Sequence, residues 1–262
     1  ARAREQRVMG APSLDSLIAK IRASAAKDRS MAQALANASG TIVAASPQPP
    51  PLKQALSLTF VSYQQGDTIG KVAALVTLAP IFAHVALGSW ILARRELHAA
   101  CLFLGSVLNT VLCVAIKSQV RQARPAGATL QDYGMPSNHA QTTTFLSLYC
   151  VLLLWHGCTV RHAVFWKPAL TAAAALLAVA VAASRVYLGE HTLAQVLVGS
   201  LVGGAAAVVW YGIYCLVLRP ALVPLLEHPL LRYFYVRDNS KVADVMQQEY
   251  EAHRSALQTK AR

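Results

Sequence analysis

The sequence predicts an all-α protein, an integral-membrane bundle of about five transmembrane helices, and three observations lead there. Apolar residues make up 55% of the 262 residues, and the mean hydropathy is +0.40. Charged residues make up only 14%, where a soluble domain carries about 25%, so polar surface is too scarce to face water on all sides. The charges are also bunched, leaving uncharged runs at 72–93, 97–116, 133–160, 168–184 and 191–218. Crossing about 30 Å of hydrocarbon takes about 20 apolar residues, and four of the runs reach that length. The short run, 168–184, is lengthened by Lys167, whose stem lies along apolar surface while its ammonium reaches the interface. Disordered, collagen-like and coiled-coil chains are excluded by composition.

The net charge is +12, from 24 Lys and Arg against 12 Asp and Glu. Such an excess suits nucleic acid, an acidic lipid surface or a phosphorylated substrate. Combined with the apolar excess it points to the last two, and nucleic acid is not an expected partner.

The elements follow in chain order. Residues 1–52 form a basic segment rich in Ala and Ser, with Leu14, Leu17, Ile18 and Ile21 at helical spacing. It reads either as a transit-like segment or as a flexible tail, and 46–51 as a polyproline linker. The membrane domain covers 53–219, with spans expected near 72–93, 97–116, 139–156, 167–187 and 192–218. Pro80 should kink the first span. His84 and Asn109 should bond neighbouring helices, and Gly199, Gly203 and Gly204 should allow close packing in the last span, with weak evidence of dimerisation. His98, His156 and His162 fall at the rim opposite to Lys117 and His191. Arg219-Pro220 should end the last helix, 220–240 should lie at the interface, and 241–257 should form a short polar helix. Cys101, Cys113, Cys150, Cys158 and Cys215 have no paired spacing and read as apolar filler.

In a chain so poor in charge, the placement of charges is informative. Lys117, Arg121 and Arg124 lie between spans two and three, and Arg185 between spans four and five. With five crossings, both places lie on one side of the membrane. Ser137, Asn138 and His139 open span three there, and Glu190 and His191 open span five. Helix N-termini offer unpaired N–H groups to an oxyanion, with Ser137 as a suitable N-cap. Lys117, Arg124 and Arg185 can neutralise the oxygens of a transferring phosphoryl group. Two histidines can divide the work, one attacking phosphorus and one protonating the departing oxygen. Only Asp132 and Glu190 supply acid nearby, so no metal or other cofactor is expected. Gln195, one turn beyond His191, is placed either to hold the His191 ring or to bond another helix.

Lys117-x₆-Arg124-Pro125, Pro136-Ser137-Asn138-His139 and Ser184-Arg185-x₅-His191 resemble the three-part signature of the type 2 phosphatidic acid phosphatase superfamily. The resemblance implies a metal-independent lipid phosphatase with its active site at one membrane rim. His191 would be the nucleophile and His139 the general acid. Lys117, Arg124, Ser137, Asn138 and Arg185 would bind phosphate. Asn138 stands where Gly is usual, and Gln195 where Asp is usual. Residues 132–141 and 184–195, with Arg95-Glu96-Leu97-His98 and Arg237-Asp238-Asn239-Ser240, are similar to the dolichyl diphosphatase branch, over roughly 57–254. That branch implies hydrolysis of dolichyl (polyprenyl) diphosphate in the endoplasmic reticulum membrane. Rim cations are more numerous opposite the site (Arg94, Arg95, Arg161, Lys167, Arg219, Arg232) than beside it (Lys53, Lys71, Arg121) once the phosphate ligands are set aside. The positive-inside rule then turns the site to the lumen. Two rival readings are a plastid phosphatidate phosphatase, favoured by the transit-like tail, and a non-catalytic lipid-binding scaffold, in which Gln195 marks lost activity.

Overall fold

A computed structural model describes residues 53–56, 61–130, 132–157, 163–239, 242 and 244–260, together with helical residues 26, 27, 29 and 30. The chain divides into Ala1–Pro50 and Pro51–Arg262, and the long apolar helices belong to the second unit. The Leu14–Ile21 pattern, the polyproline run, Cys158, Arg161 and His162 lie outside the described residues.

The second unit opens with a two-stranded antiparallel hairpin that the sequence pattern did not reveal, β1 (Lys53–Leu56) against β2 (Val61–Gln64), with Lys53 opposite Gln64. Asp67 then caps α1 (Thr68–Thr77), accepting a bond from the Gly70 amide at 2.8 Å. The first span breaks at Leu78 and continues as α2 (Ala79–Arg94), with Pro80 in its first turn, where a missing N–H leaves nothing unpaired. Next come α3 (Leu97–Val120), α4 (Asn138–His156), α5 (Ala163–Tyr187) and α6 (Leu193–Ile213). Thr192 and Gln195 form a capping box at the start of α6.

The last span does not stop at Arg219-Pro220. It runs through a π-turn (Tyr214–Leu218) into α7 (Arg219–Leu222), with Pro220 at the start of the new helix. A short 3₁₀ turn, α8 (Pro229–Tyr233) and α9 (Val245–Lys260) complete the chain.

Among the described residues, four segments are long and apolar enough to cross a membrane: Thr68–Arg94, Leu97–Val120, Val164–Tyr187 and Leu193–Glu227. Their outward faces carry large exposed apolar side chains such as Leu92, Val164, Leu201 and Leu216, the surface a lipid solvent requires. The remaining expected span, α4, is more polar because it is central. It packs most extensively on α6 and then on α5, and its Gln141, Thr142 and Thr143 are buried. Gln141 donates to the Asn109 carbonyl and side chain on α3, at 2.9 and 3.0 Å. His84 bonds Ser106 across α2 and α3 at 2.7 Å. Gly199 and Gly203 face the α4 backbone at Ser137 and Gln141 so closely that a Cβ at either would collide with it. Their use is packing within the chain.

Candidate active site

The site is assembled at the rim where α3 and α5 end and where α4 and α6 begin. Lys117 lies in the last turn of α3, which closes at Arg121 in the left-handed conformation. The chain beyond it folds back on itself, with Gly134 N donating to Gln122 O at 2.7 Å and Ala123 bridging Tyr133. That return brings Asp132 onto both Arg124 Nε and Lys117 Nζ, and lets Lys117 donate to Tyr133 O at 2.9 Å. Burial works to raise the Asp132 carboxyl, but the bonds and charges of Arg124 and Lys117 prevail and hold it below the usual carboxylate range.

At the end of α5, Gly189 takes φ +70° and turns the chain back, so that the Glu190 and His191 amides both donate to Arg185 O, at 3.1 and 3.2 Å. A side chain other than Gly would strain that turn. His191 is thereby buried, 3% exposed, beside Arg185 and under Arg124.

The imidazole is held at both nitrogens. Arg124 donates to Nε2 at 3.0 Å. A guanidinium only donates, so Nε2 is the unprotonated nitrogen and Nδ1 carries the hydrogen. Nδ1–H donates to Gln195 Oε1 at 3.1 Å. Gln195, fully buried, gives both amide hydrogens elsewhere, to Ala123 O at 2.8 Å and Gln122 Oε1 at 3.1 Å. It therefore holds the ring, and its other bonds go to the loop after α3 rather than to another helix. Burial first, and then the Arg124 and Arg185 guanidiniums, push His191 down to about 3, with the Gln195 bond working the other way.

Two polar atoms are buried here without a partner among the described residues: Ser137 Oγ and Arg185 Nε. Ser137 occupies the N-cap position of α4, but its hydroxyl makes no capping bond. Its amide donates to Gln195 O at 3.1 Å, which ties the start of α4 to α6. Asn138 is turned along its own helix, accepting from Thr142 at 3.3 Å. His139, half-buried in the first turn of α4, lies within electrostatic reach of Arg185, His191, Arg124 and Lys117. Thus Lys117, Arg124, Ser137, His139, Arg185, His191 and Gln195 share one rim site, and Asn138 flanks it. Among the described residues, no three His, Cys, Asp or Glu side chains are grouped to hold a metal ion. Sequence reasoning missed the supports Gln122, Thr129 and Glu190. Of these only Glu190, beside His191, carried any signal.

The architecture is that of a transmembrane phosphatase fold. It matches the crystal structure of a PAP2-type phosphatidylglycerolphosphate phosphatase from Bacillus subtilis with a TM-score of 0.50 and 21% identity, covering 57% of this chain and 78% of that one. Residues 98–216 match the PAP2 superfamily. Human dolichyldiphosphatase 1 is 33% identical over 216 residues, 79% of this chain and 91% of the relative. Lipid phosphate phosphatase gamma of Arabidopsis thaliana is 34% identical over 219 residues, 78% and 92%. The chain belongs to the PAP2 superfamily.

Proposed function

We propose that this membrane lipid phosphatase hydrolyses dolichyl (polyprenyl) diphosphate to the monophosphate and inorganic phosphate, returning the carrier lipid to protein N-glycosylation. The observation that carries the reading is His191, locked as the Nδ1–H tautomer with Nε2 facing Arg124. The diphosphate sits at the rim with its chain in the bilayer. Its terminal phosphoryl oxygens draw Arg124 off Nε2 and meet Arg185 Nε and Ser137 Oγ, the atoms left without partners. Nε2 then attacks the terminal phosphorus, and the bond to the bridging oxygen breaks as His139 protonates it. Water, giving its proton back to His139, cleaves the phosphohistidine and frees phosphate. Gln195 keeps the ring aimed throughout. This chemistry calls on no metal.

The names of the relatives support two lipids. Several are dolichyldiphosphatases, while the Arabidopsis relative is a lipid phosphate phosphatase, a name under which a lipid monophosphate such as phosphatidate is the second reading. Phosphate release by the purified protein in chelator, from dolichyl diphosphate, dolichyl phosphate and phosphatidate, decides between them. Preferred release from dolichyl diphosphate is expected. Dominant phosphatidate hydrolysis selects the second reading, and no turnover of any favours a lipid-binding scaffold.

The membrane is that of the endoplasmic reticulum, with the rim site facing the lumen. A glycosylation sequon engineered at residues 126–128 should be modified, and modification of one near residue 160 instead would reverse the topology.

A further inference from the structure

Glu190 takes no part in the phosphoryl transfer, yet it is 3% exposed among the site cations. Its Oε2 lies 3.9 Å from Arg124 and 3.8 Å from Arg185. Direct guanidinium–carboxylate hydrogen bonds are about 2.7–2.9 Å, so the carboxylate stands off from both. Thr129 holds it there. The Thr129 amide donates to Oε1 at 3.2 Å and Oε2 at 3.3 Å, and its hydroxyl donates to Oε1. That hydroxyl has one proton to give, so the Ser62 hydroxyl, also in contact with it, must be the donor into Thr129. A one-way chain from β2 through Thr129 therefore pulls the carboxylate to a fixed place.

Two buried guanidiniums that share one site repel each other and have lost water. A carboxylate at 3.8–3.9 Å offsets that, while a direct ion pair would also consume the donors phosphate needs. Arg185 Nε in fact stays uncommitted. We infer that Glu190 is a positioning residue, a tethered counter-anion that keeps Arg124 and Arg185 ready and limits how tightly the site retains its phosphate product. The inference rests on the reading of this rim as a phosphate site.

The test is inorganic phosphate, measured both as an inhibitor of turnover and by titration calorimetry on the full-length protein in detergent. Glu190→Gln keeps the length and an acceptor for Thr129 but removes the charge. Phosphate should bind it about tenfold more tightly, with kcat reduced through slower release and KM no higher. Thr129→Val keeps the charge and the backbone donor but slackens the tether. The carboxylate should then close on the arginines, and phosphate should bind several-fold more weakly. A residue that merely supported the fold would weaken phosphate binding in both variants. Unchanged or weaker binding in Glu190→Gln overturns the inference, as does unchanged or tighter binding in Thr129→Val. Arg185→Gln separates the two levels. If it weakens phosphate while Glu190→Gln does nothing, only the role of Glu190 falls. If the wild type binds no phosphate, the site reading falls, and this inference with it.

Discussion

The two membrane rims of this molecule use similar residues to opposite ends. Opposite the site, the chain after α8 is stitched onto the α2–α3 junction. Arg237 exchanges backbone bonds with Arg95 and Leu97, and Glu96 accepts from the Asn239 amide and side chain at 2.8 and 2.7 Å. Arg94 and Arg237 share Glu249, and Arg219 lies 3.6 Å from Asp238. There Glu249 meets its cations directly. At the site rim, the Glu190 carboxylate is held off its arginines, and Arg185 Nε and Ser137 Oγ are buried with no partner among the described residues. Leaving such groups unpaired is costly, and at this rim a bound anion would offset the cost. The acids of the opposite rim tie segments of the fold together, whereas at the site rim Asp132 pairs directly with Arg124 and Glu190 is tethered by Thr129 short of direct pairing.

The largest expected break is at the proposed nucleophile. His191→Ala should abolish turnover, whereas His139→Ala should lose about 10²–10⁴-fold and still accumulate phosphoenzyme from substrates with good leaving groups. Rapid quenching should show acid-labile phosphate on nitrogen; label on serine would reassign the nucleophile.

Arg185→Gln should lower kcat/KM by about 10²–10³-fold, the usual effect of deleting one donor aimed at transition-state charge. Its melting temperature should fall little, since no hydrogen bond is lost at Nε. A large loss of stability with little loss of rate would make this rim structural like the other.

Gln195→Ala should lower the rate at every pH, by an amount equivalent to about 1–3 kcal/mol. In the free enzyme His191 is held at about 3, so kcat/KM should show no His191 limb above about pH 4. Gln195→Glu adds an opposite charge that raises the pKa. His191 then stays protonated to higher pH, and the acid limb should move up. The same variant also loses the amide donor to Ala123 and Gln122, so its plateau should fall as well. An unmoved limb would show that residue 195 does not bear on the ring.

The smallest effect belongs to the opposite rim. Glu249, through its hydrogen bond to Arg94, is held below the usual carboxylate range. A depressed carboxyl stabilises above its unfolded pKa, and that help is lost as pH falls through the folded value. This partly exposed pair is screened by water and salt. Glu249→Gln should therefore leave kcat/KM within about twofold and lower the melting temperature slightly at neutral pH, less so in acid.

Much of this was legible in the chain. Charge-free runs have to become lipid-facing helices because hydrocarbon leaves the backbone no other partner, so Leu97–Val120 and Val164–Tyr187 follow from composition and length. The rim cluster was legible too, since Lys117, Arg124, His139, Arg185, His191 and Gln195 stand at or beside helix ends, and the structure brings them to one rim. The sequence could not show that α4 is the central helix, because polarity at Gln141 and Thr143 reads as a weak span until neighbours bury it. Nor could it show that Pro220 starts a new turn, which depends on a π-turn placed just before it. The tethering of Glu190 depends on Ser62 and Thr129, 128 and 61 positions away, and the locked tautomer of His191 depends on Arg124 closing over it. Local pattern determines which segments are helices and which groups can do chemistry. Which donors are saturated and which are withheld is a property of contacts between distant segments, and only the tertiary structure decides it.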